Sequence, residues 1–286
     1  MKLCRFTAGT SPEVRVGLIT GDQAVLDLTD ARVHRMTDLL ERADLPDELI
    51  RLGQAGLPSL ALESVRLLTP VELQEVWAAG VTYLRSKHAR MVESEFSANA
   101  YDRVYDAVRP EIFFKSLPEK VVSPGEAVGI RRDARWSVPE PELALVISSS
   151  GKIVGFTIGN DMSSRDIEGE NLLYLPQAKI YTASCAVGPW LVVGQTEDDA
   201  RRWTIRLEIR RDGKNVFAGE TGAGQIKRPF TEMVDYLFRS QRFPNGAVLL
   251  TGAGVVPPDS FTLEAHDSVR ITISGVGTLE NPVAVV

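Results

Sequence analysis

Residues 139–161 read Pro-Glu-Pro-Glu-Leu-Ala-Leu-Val-Ile-Ser-Ser-Ser-Gly-Lys-Ile-Val-Gly-Phe-Thr-Ile-Gly-Asn-Asp. The β-branched and aromatic content of Glu142–Ser148 and Lys152–Ile158 predicts two strands. In an extended segment residues i and i+2 share a face, so the carboxylates of Glu140 and Glu142 project together. Pro139 and Pro141 restrict φ on either side of Glu140 and hold the pair rigid. An isolated Glu-x-Glu also suits a solvated strand end. If the second strand runs antiparallel beside the first, Asp161 at its end adds a third carboxylate. Three carboxylates with open water positions describe a Mg²⁺ or Mn²⁺ site, with Ca²⁺ as a further candidate, because hard cations take oxygen ligands. No histidine stands near them in sequence, which argues against zinc.

Outward from this stretch, strand composition recurs at Trp203–Arg211, Val216–Glu220, Ala247–Leu250 and Val269–Ser274. Asp212-Gly213 lies between two of these runs and is the strongest hairpin signal in the chain. Helices are expected at Tyr83–Glu95 and at Thr231–Ser240, the latter capped by Thr231. Near the start, strands are expected at Lys2–Phe6, Val14–Ile19 and Ala24–Leu28, with a turn at Gly21-Asp22. Thr37 then caps a short helix over Asp38–Ala43, and Pro70 marks a boundary. The expectation is a small N-terminal α/β domain over residues 1–70 and a larger catalytic domain over 71–286. Many strands and few helices predict a β-rich α+β fold rather than a βαβ sheet.

Composition narrows the function. With 286 residues and 44% hydrophobic content, the chain can build a sizeable core without disulfides. Its two cysteines, Cys4 and Cys185, match no zinc or redox spacing, so a reducing, cytoplasmic setting is expected. The opening Met-Lys-Leu-Cys-Arg-Phe is too short in apolar run for a secretory signal, and no stretch reaches the ~20 apolar residues of a membrane span. A net charge of −6 with only scattered arginine pairs argues against nucleic acid. An acidic protein that binds an acidic metabolite needs local positive charge, which a bound metal supplies.

Three motifs in order carry a resemblance: Pro110-Glu111-Ile112-Phe113-Phe114-Lys115-Ser116, then Pro139–Ala144, then Gly159-Asn160-Asp161-Met162-Ser163-Ser164-Arg165-Asp166. Gln177-Ala178-Lys179 and Gly188-Pro189-Trp190 follow at matching spacing. The run from Arg109 to Val193 resembles the fumarylacetoacetate hydrolase family, and the likeness extends more loosely over residues 75–286, with Thr251-Gly252 as the late turn. The resemblance implies metal ligands Glu140, Glu142 and Asp161, a mixed β-roll catalytic domain, a small N-terminal domain and a homodimer. The segment Ile167–Tyr181 is similar to the branch of 2-keto-3-deoxy-D-arabinonate dehydratases, which implies that Glu111 and Lys179 act on the substrate beside the metal.

A 2-oxo acid chelates a metal through carboxylate and keto oxygens, and the metal then stabilises an enolate formed by loss of a C3 proton. A hydroxyl at C4 can leave as water once it is protonated, so the reaction needs two proton-moving groups. Lys179 and Glu111 are the candidates, with a core salt bridge and a strand-edge charge as their structural alternatives. Gln177, Thr182, Thr251, Lys115 and Ser116 are the candidates for holding the substrate, although hydroxyl residues in turns often bond the backbone instead. Hydrolytic members of the family usually carry Asn-Tyr-x-x-His-Ala-x-Glu. Here the run is Thr82-Tyr83-Leu84-Arg85-Ser86-Lys87-His88-Ala89-Arg90, with the histidine displaced by two residues, or roughly 200° around a helix. That displacement favours a dehydratase over a carbon–carbon hydrolase or an oxaloacetate decarboxylase. The acidic trio and Lys179 argue against a catalytically silent binding protein.

Overall fold

The computed structural model describes residues 1–21, 23–84 and 103–286. Its first strands are β1 Lys2–Ala8, β2 Arg15–Thr20, β3 Ala24–Asp27, β4 Ser59–Ala61, β5 Val65–Leu68, β6 Glu75–Gly80 and β7 Glu111–Ser116. Next come β8 Val128–Ile130, β9 Ser137–Val138, β10 Pro141–Ile147, β11 Ile153–Asp161, β12 Ser163–Ser164 and β13 Cys185–Val192. The last are β14 Thr204–Arg211, β15 Lys214–Gly222, β16 Ala247–Leu250, β17 Ser268–Ile273 and β18 Gly277–Val285. The helices that matter here are short: α1 Met36–Leu40, α2 Leu45–Gly53, α3 Arg165–Glu170, α4 Leu175–Lys179, α5 Glu197–Arg201 and α6 Phe230–Phe238. The β-rich, mixed α+β fold expected from the sequence is the one that forms.

The large sheet runs β4-β3-β2-β1-β13-β11-β10-β16-β6-β7, with β5 also paired to β1. A second sheet runs β15-β14-β17-β18-β8, and β9 pairs with β12. Most pairs are antiparallel, but β16 with β6 and β18 with β8 are parallel, so both sheets are mixed. β10 lies in the interior of the large sheet and all seven of its residues are buried. A strand covered on both faces needs apolar residues at every position, which explains the unbroken Leu-Ala-Leu-Val-Ile run. Leu143, Leu145 and Ile147 share one core with Ile205, Leu207 and Ile271 of the second sheet. Ala144 and Val146 face the other core, with Leu3, Leu18 and Leu49 of the N-terminal region. Lys2 and Leu3 pair with Val192 and Leu191, so the N-terminal strands extend the central sheet.

The Asp212-Gly213 hairpin forms as expected between β14 and β15, with both residues at positive φ, 50° and 73°. Two expected caps are supplied differently. The first helix begins at Met36, before Thr37, whose N–H and hydroxyl both donate to the Glu72 carboxylate at 2.8 and 2.6 Å. α6 begins at Phe230, one residue before Thr231, and the Phe230 N–H donates to Glu197 at 3.0 Å. In both cases a glutamate distant in sequence takes the role a local hydroxyl was expected to play. α2, with Leu45, Leu49 and Leu52 buried, was not expected from the sequence. The expected Tyr83–Glu95 helix lies from residue 85 onward outside the described residues, as do His88, Glu93, Glu95 and Asp22. Among the described residues no helix is long and apolar enough to cross a membrane.

Candidate active site

The register of two adjacent strands builds the site. β10 and β11 run antiparallel with Pro141 opposite Asn160 and Glu142 opposite Gly159, and the Asp161 N–H donates to the Glu140 carbonyl at 3.0 Å. Glu140 and Glu142 at the mouth of one strand therefore meet Asp161 at the end of the next. One ligand oxygen from each lies within 4.8 Å of the others. All three residues are buried, so their charges cannot be left to solvent.

Three cations converge on them. The Lys179 ammonium, at the end of α4, donates to Glu140 at 2.8 Å, to Asp161 at 3.1 Å and to the Ser163 hydroxyl at 2.5 Å. Arg165, the first residue of α3, holds the other oxygen of Glu140 at 2.7 Å. Lys115, from β7, lies 2.5 Å from Asp161 and donates to the carbonyls of Met162 at 3.0 Å and Lys179 at 2.5 Å. Glu142 differs. Its bond is to the Gly252 N–H, and no ion-pair partner reaches it among the described residues. Burial first, and then the charges of Asp161 and Glu140, push its carboxyl well above the usual pKa range.

The cleft over these groups is lined by Ala79, Gly80, Val81, Phe113, Arg165 and the Gly252–Gly254 turn. It has room for about 20 Å³, the space of one small bound species. The donor set suits a hard divalent cation: three buried carboxylates, mutually repelling, with no nitrogen or sulfur ligand among the described residues. The Lys179 ammonium already bridges Glu140 and Asp161 as a positive charge.

Glu111 opens β7 opposite Gly80, and its carboxyl lies where a Cβ on Gly80 would be, beside the cleft wall. Of the residues expected to hold substrate, Lys115 is the one whose side chain bonds the trio. Lys115 has its ammonium turned inward onto Asp161 and two carbonyls, fully buried. Ser116, where the pairing of β7 with β6 slips by one residue, donates to the Leu117 carbonyl and with Thr182 lines a separate cavity of about 660 Å³. Gln177 is exposed, and its carbonyl accepts from Arg131 at 3.2 Å. The Thr251 hydroxyl donates to the Leu143 carbonyl at 2.8 Å. Arg165 and Ser163 entered the sequence reading only as part of a motif. Their placement depends on β12 pairing with β9, the short strand just before β10, which no local pattern announces.

Comparison with known proteins places this geometry in context. A family model described as fumarylacetoacetate (FAA) hydrolase C-terminal matches residues 75–284. The chain is 43% identical over 268 residues to a probable 2-keto-3-deoxyxylonate dehydratase of Haloferax volcanii, covering 93% of this chain and 88% of that one. It is 42% identical over 233 residues to the 2-dehydro-3-deoxy-D-arabinonate dehydratase of Saccharolobus solfataricus, covering 80% and 78%. A solved structure of 2-keto-3-deoxy-D-arabinonate dehydratase complexed with magnesium and 2,5-dioxopentanoate superposes with a TM-score of 0.82. That alignment has 33% identity and covers 100% of this chain and 99% of the other.

Proposed function

The chain belongs to the fumarylacetoacetate hydrolase family, and from that premise we propose how it works as a 2-keto-3-deoxy sugar acid dehydratase. The observation that carries the reading is its identity of 43% and 42% to two dehydratases of five-carbon acids of this class. Oxidation at C2 and loss of the C3 hydroxyl leave C4 as the only stereocentre in such an acid. The D-arabinonate and D-xylonate skeletons agree at C4, so the two 2-keto-3-deoxy derivatives are one compound. We take that compound as the substrate and 2,5-dioxopentanoate, the ligand of the similar solved enzyme, as the product.

The atoms set the demands on the site. C3 gives up a proton and C4 its hydroxyl, which leaves as water. A further proton moves from C5 to C3, giving an enol across C4 and C5, and the C5 hydroxyl proton then passes to C4 to give the aldehyde. We assign the metal to Glu140, Glu142 and Asp161, with Mg²⁺ as the resident ion and Mn²⁺ or Ca²⁺ as competitors. When bound, the metal supplies a Lewis acid for the 2-oxo acid and so acidifies its C3–H bond. Arg165 holds Oε1 of Glu140 and Lys115 holds Oδ1 of Asp161, opposite the oxygens bonded to Lys179, so the carboxylates are aimed before any ligand arrives. Lys179 lies at the edge of the trio, where its side chain, once it has given up one ammonium proton and is a neutral amine, takes the C3 proton. Glu111, across the cleft wall, protonates the departing hydroxyl.

Incubation with Mg²⁺ and 2-keto-3-deoxy-D-arabinonate should give a product lighter by one water that carries an aldehyde. Release of carbon dioxide, cleavage of a carbon–carbon bond, or an unchanged substrate would each sink the reading. Residues 71–286 as the catalytic unit, a small N-terminal unit over 1–70, a homodimer and a cytoplasmic setting belong to the same proposal. The two unbridged cysteines, Cys4 and Cys185, support the last, and light scattering tests the dimer.

A further inference from the structure

The turn that holds Glu142 rests on a two-residue template. Gly252 donates its N–H to Glu142, and its φ of 93° suits glycine alone. A Cβ at Gly252 would overlap the Thr82 hydroxyl, and one at Gly254 would overlap the ring of Tyr83. The two glycines are therefore matched in register to Thr82 and Tyr83, whose side chains lie directly against the turn. The Thr82 hydroxyl also donates to the Thr251 carbonyl at 2.6 Å, and Thr82 is 1% exposed. That carbonyl and the Gly252 N–H are the two ends of one peptide group. Fixing the carbonyl fixes the direction of the N–H, because the unit is planar. The chain reaches this arrangement through Val81 at φ 52°, a region that β-branched residues rarely occupy. Backbone of that kind persists where the surroundings demand it, and Val81 itself lines the cleft.

We propose that Thr82 is a positioning residue for Glu142: through the Thr251–Gly252 peptide it sets the direction of the N–H that holds this carboxylate for the cation. The proposal rests on the assignment of the metal to the trio. Groups that orient a metal's ligands typically change its affinity by about 10–100-fold when removed. Thr82 acts one hydrogen bond further out, through the Thr251–Gly252 peptide, so a loss near the lower end, about tenfold, is expected.

The test is Mg²⁺ affinity by calorimetry on the full chain without substrate, with melting temperature measured alongside. Thr82→Val removes the hydroxyl at constant shape and should weaken Mg²⁺ binding about tenfold. Thr82→Ser, which keeps the hydroxyl, should restore affinity close to that of the parent. In a Glu142→Gln background, Thr82→Val should cause no further loss, since its effect passes through Glu142. If the valine variant does not fold, Thr82→Ala deletes the same hydroxyl without adding a methyl and carries the same comparison. Parent-like affinity in a folded hydroxyl-free variant overturns the proposal, as does an equal loss in Thr82→Ser or an undiminished loss in the Glu142→Gln background. Unchanged Mg²⁺ binding in Glu142→Gln alone would overturn the metal assignment, and the proposal with it.

Discussion

Two buried clusters of charge in this protein are built on opposite rules. In the first, Asp267, fully buried just before β17, meets the guanidinium of Arg211 with two bonds of 2.8 Å. A third bond comes from the Glu264 N–H at 2.9 Å, so both Asp267 oxygens are satisfied by one cation and a peptide. In the second, Glu140, Glu142 and Asp161 crowd together while Lys115, Arg165 and Lys179 divide themselves between only two of them. The first cluster is closed and ties the β17 end of the second sheet to the Thr262–Glu264 loop. The second leaves Glu142 without a cation among the described residues, and there an added ion gains most. Functional chemistry sits where buried charges are not paired off.

The largest difference should appear when one ionic partner is removed from each cluster. Lys179→Met should leave Mg²⁺ binding nearly intact, because the carboxylates remain, and cut turnover by about 10²–10⁴-fold, the usual contribution of a positioned base. Single-turnover mass measurement reads the rate, and calorimetry reads the metal. Activity should end in EDTA and return with Mg²⁺, and borohydride with substrate should leave no adduct on Lys179. Survival of activity in EDTA together with borohydride inactivation would point to a Schiff base and refute the metal route. Full turnover in the Lys179→Met variant would refute both.

Asp267→Asn makes the converse prediction. Breaking a fully buried ion pair costs about 3–5 kcal/mol when the remaining charge is stranded. Arg211 is not stranded: it is partly exposed and keeps Glu264 and the Thr262 carbonyl, so a loss of about 2 kcal/mol is expected. Urea unfolding should show it, with turnover per folded molecule unchanged. A folded variant with a large loss of turnover would mean that the two clusters are not independent.

The contrast also explains what the sequence could announce. The trio was legible because strand periodicity puts Glu140 and Glu142 on one face, and an antiparallel neighbour delivers Asp161. The partners were not. Lys115 and Ser116 are adjacent in sequence, but the pairing of β7 with β6 slips by one residue here, and the Lys115 ammonium reaches Asp161 while the Ser116 hydroxyl bonds the Leu117 carbonyl. Gln177 precedes Lys179 by two residues on a helix, a rotation of about 200°, which leaves it exposed while Lys179 is buried. Nearness in sequence to a functional residue was a poor guide to nearness in space. Gly252 reads in sequence only as part of a late turn, whereas the close approach of Thr82, about 170 residues away, is what leaves no room there for a Cβ. Strand pairing was readable, and contacts made across the fold were not.

The smallest effect bears most directly on the crowding, and it concerns the metal-free protein. Glu142→Gln keeps the shape and an oxygen for the Gly252 N–H but removes one of three mutually repelling carboxyls. The variant should bind Mg²⁺ more weakly and yet melt higher without it. The gain depends on pH with a definite sign. Burial, then Asp161 and Glu140, raise the folded-state pKa of Glu142 above its unfolded value of about 4.3. Between those two values the folded state binds the extra proton, so the contribution of Glu142 to stability falls as pH rises through that interval. Below about pH 4 both states hold the proton, and the contribution is fully present. Glutamine cannot titrate and lacks this slope. The stability difference between Glu142→Gln and the parent should therefore be near zero in acid and grow toward neutral pH, read as a melting-temperature difference that widens with pH. Lys179, on Glu140 and Asp161, offsets part of the repulsion, which keeps the gain modest. Added Mg²⁺ should reverse the order, because the ion stabilises the parent by mass action and the variant much less. Equal melting of the two proteins at neutral pH, with and without Mg²⁺, would show that the three carboxylates are not in competition for charge.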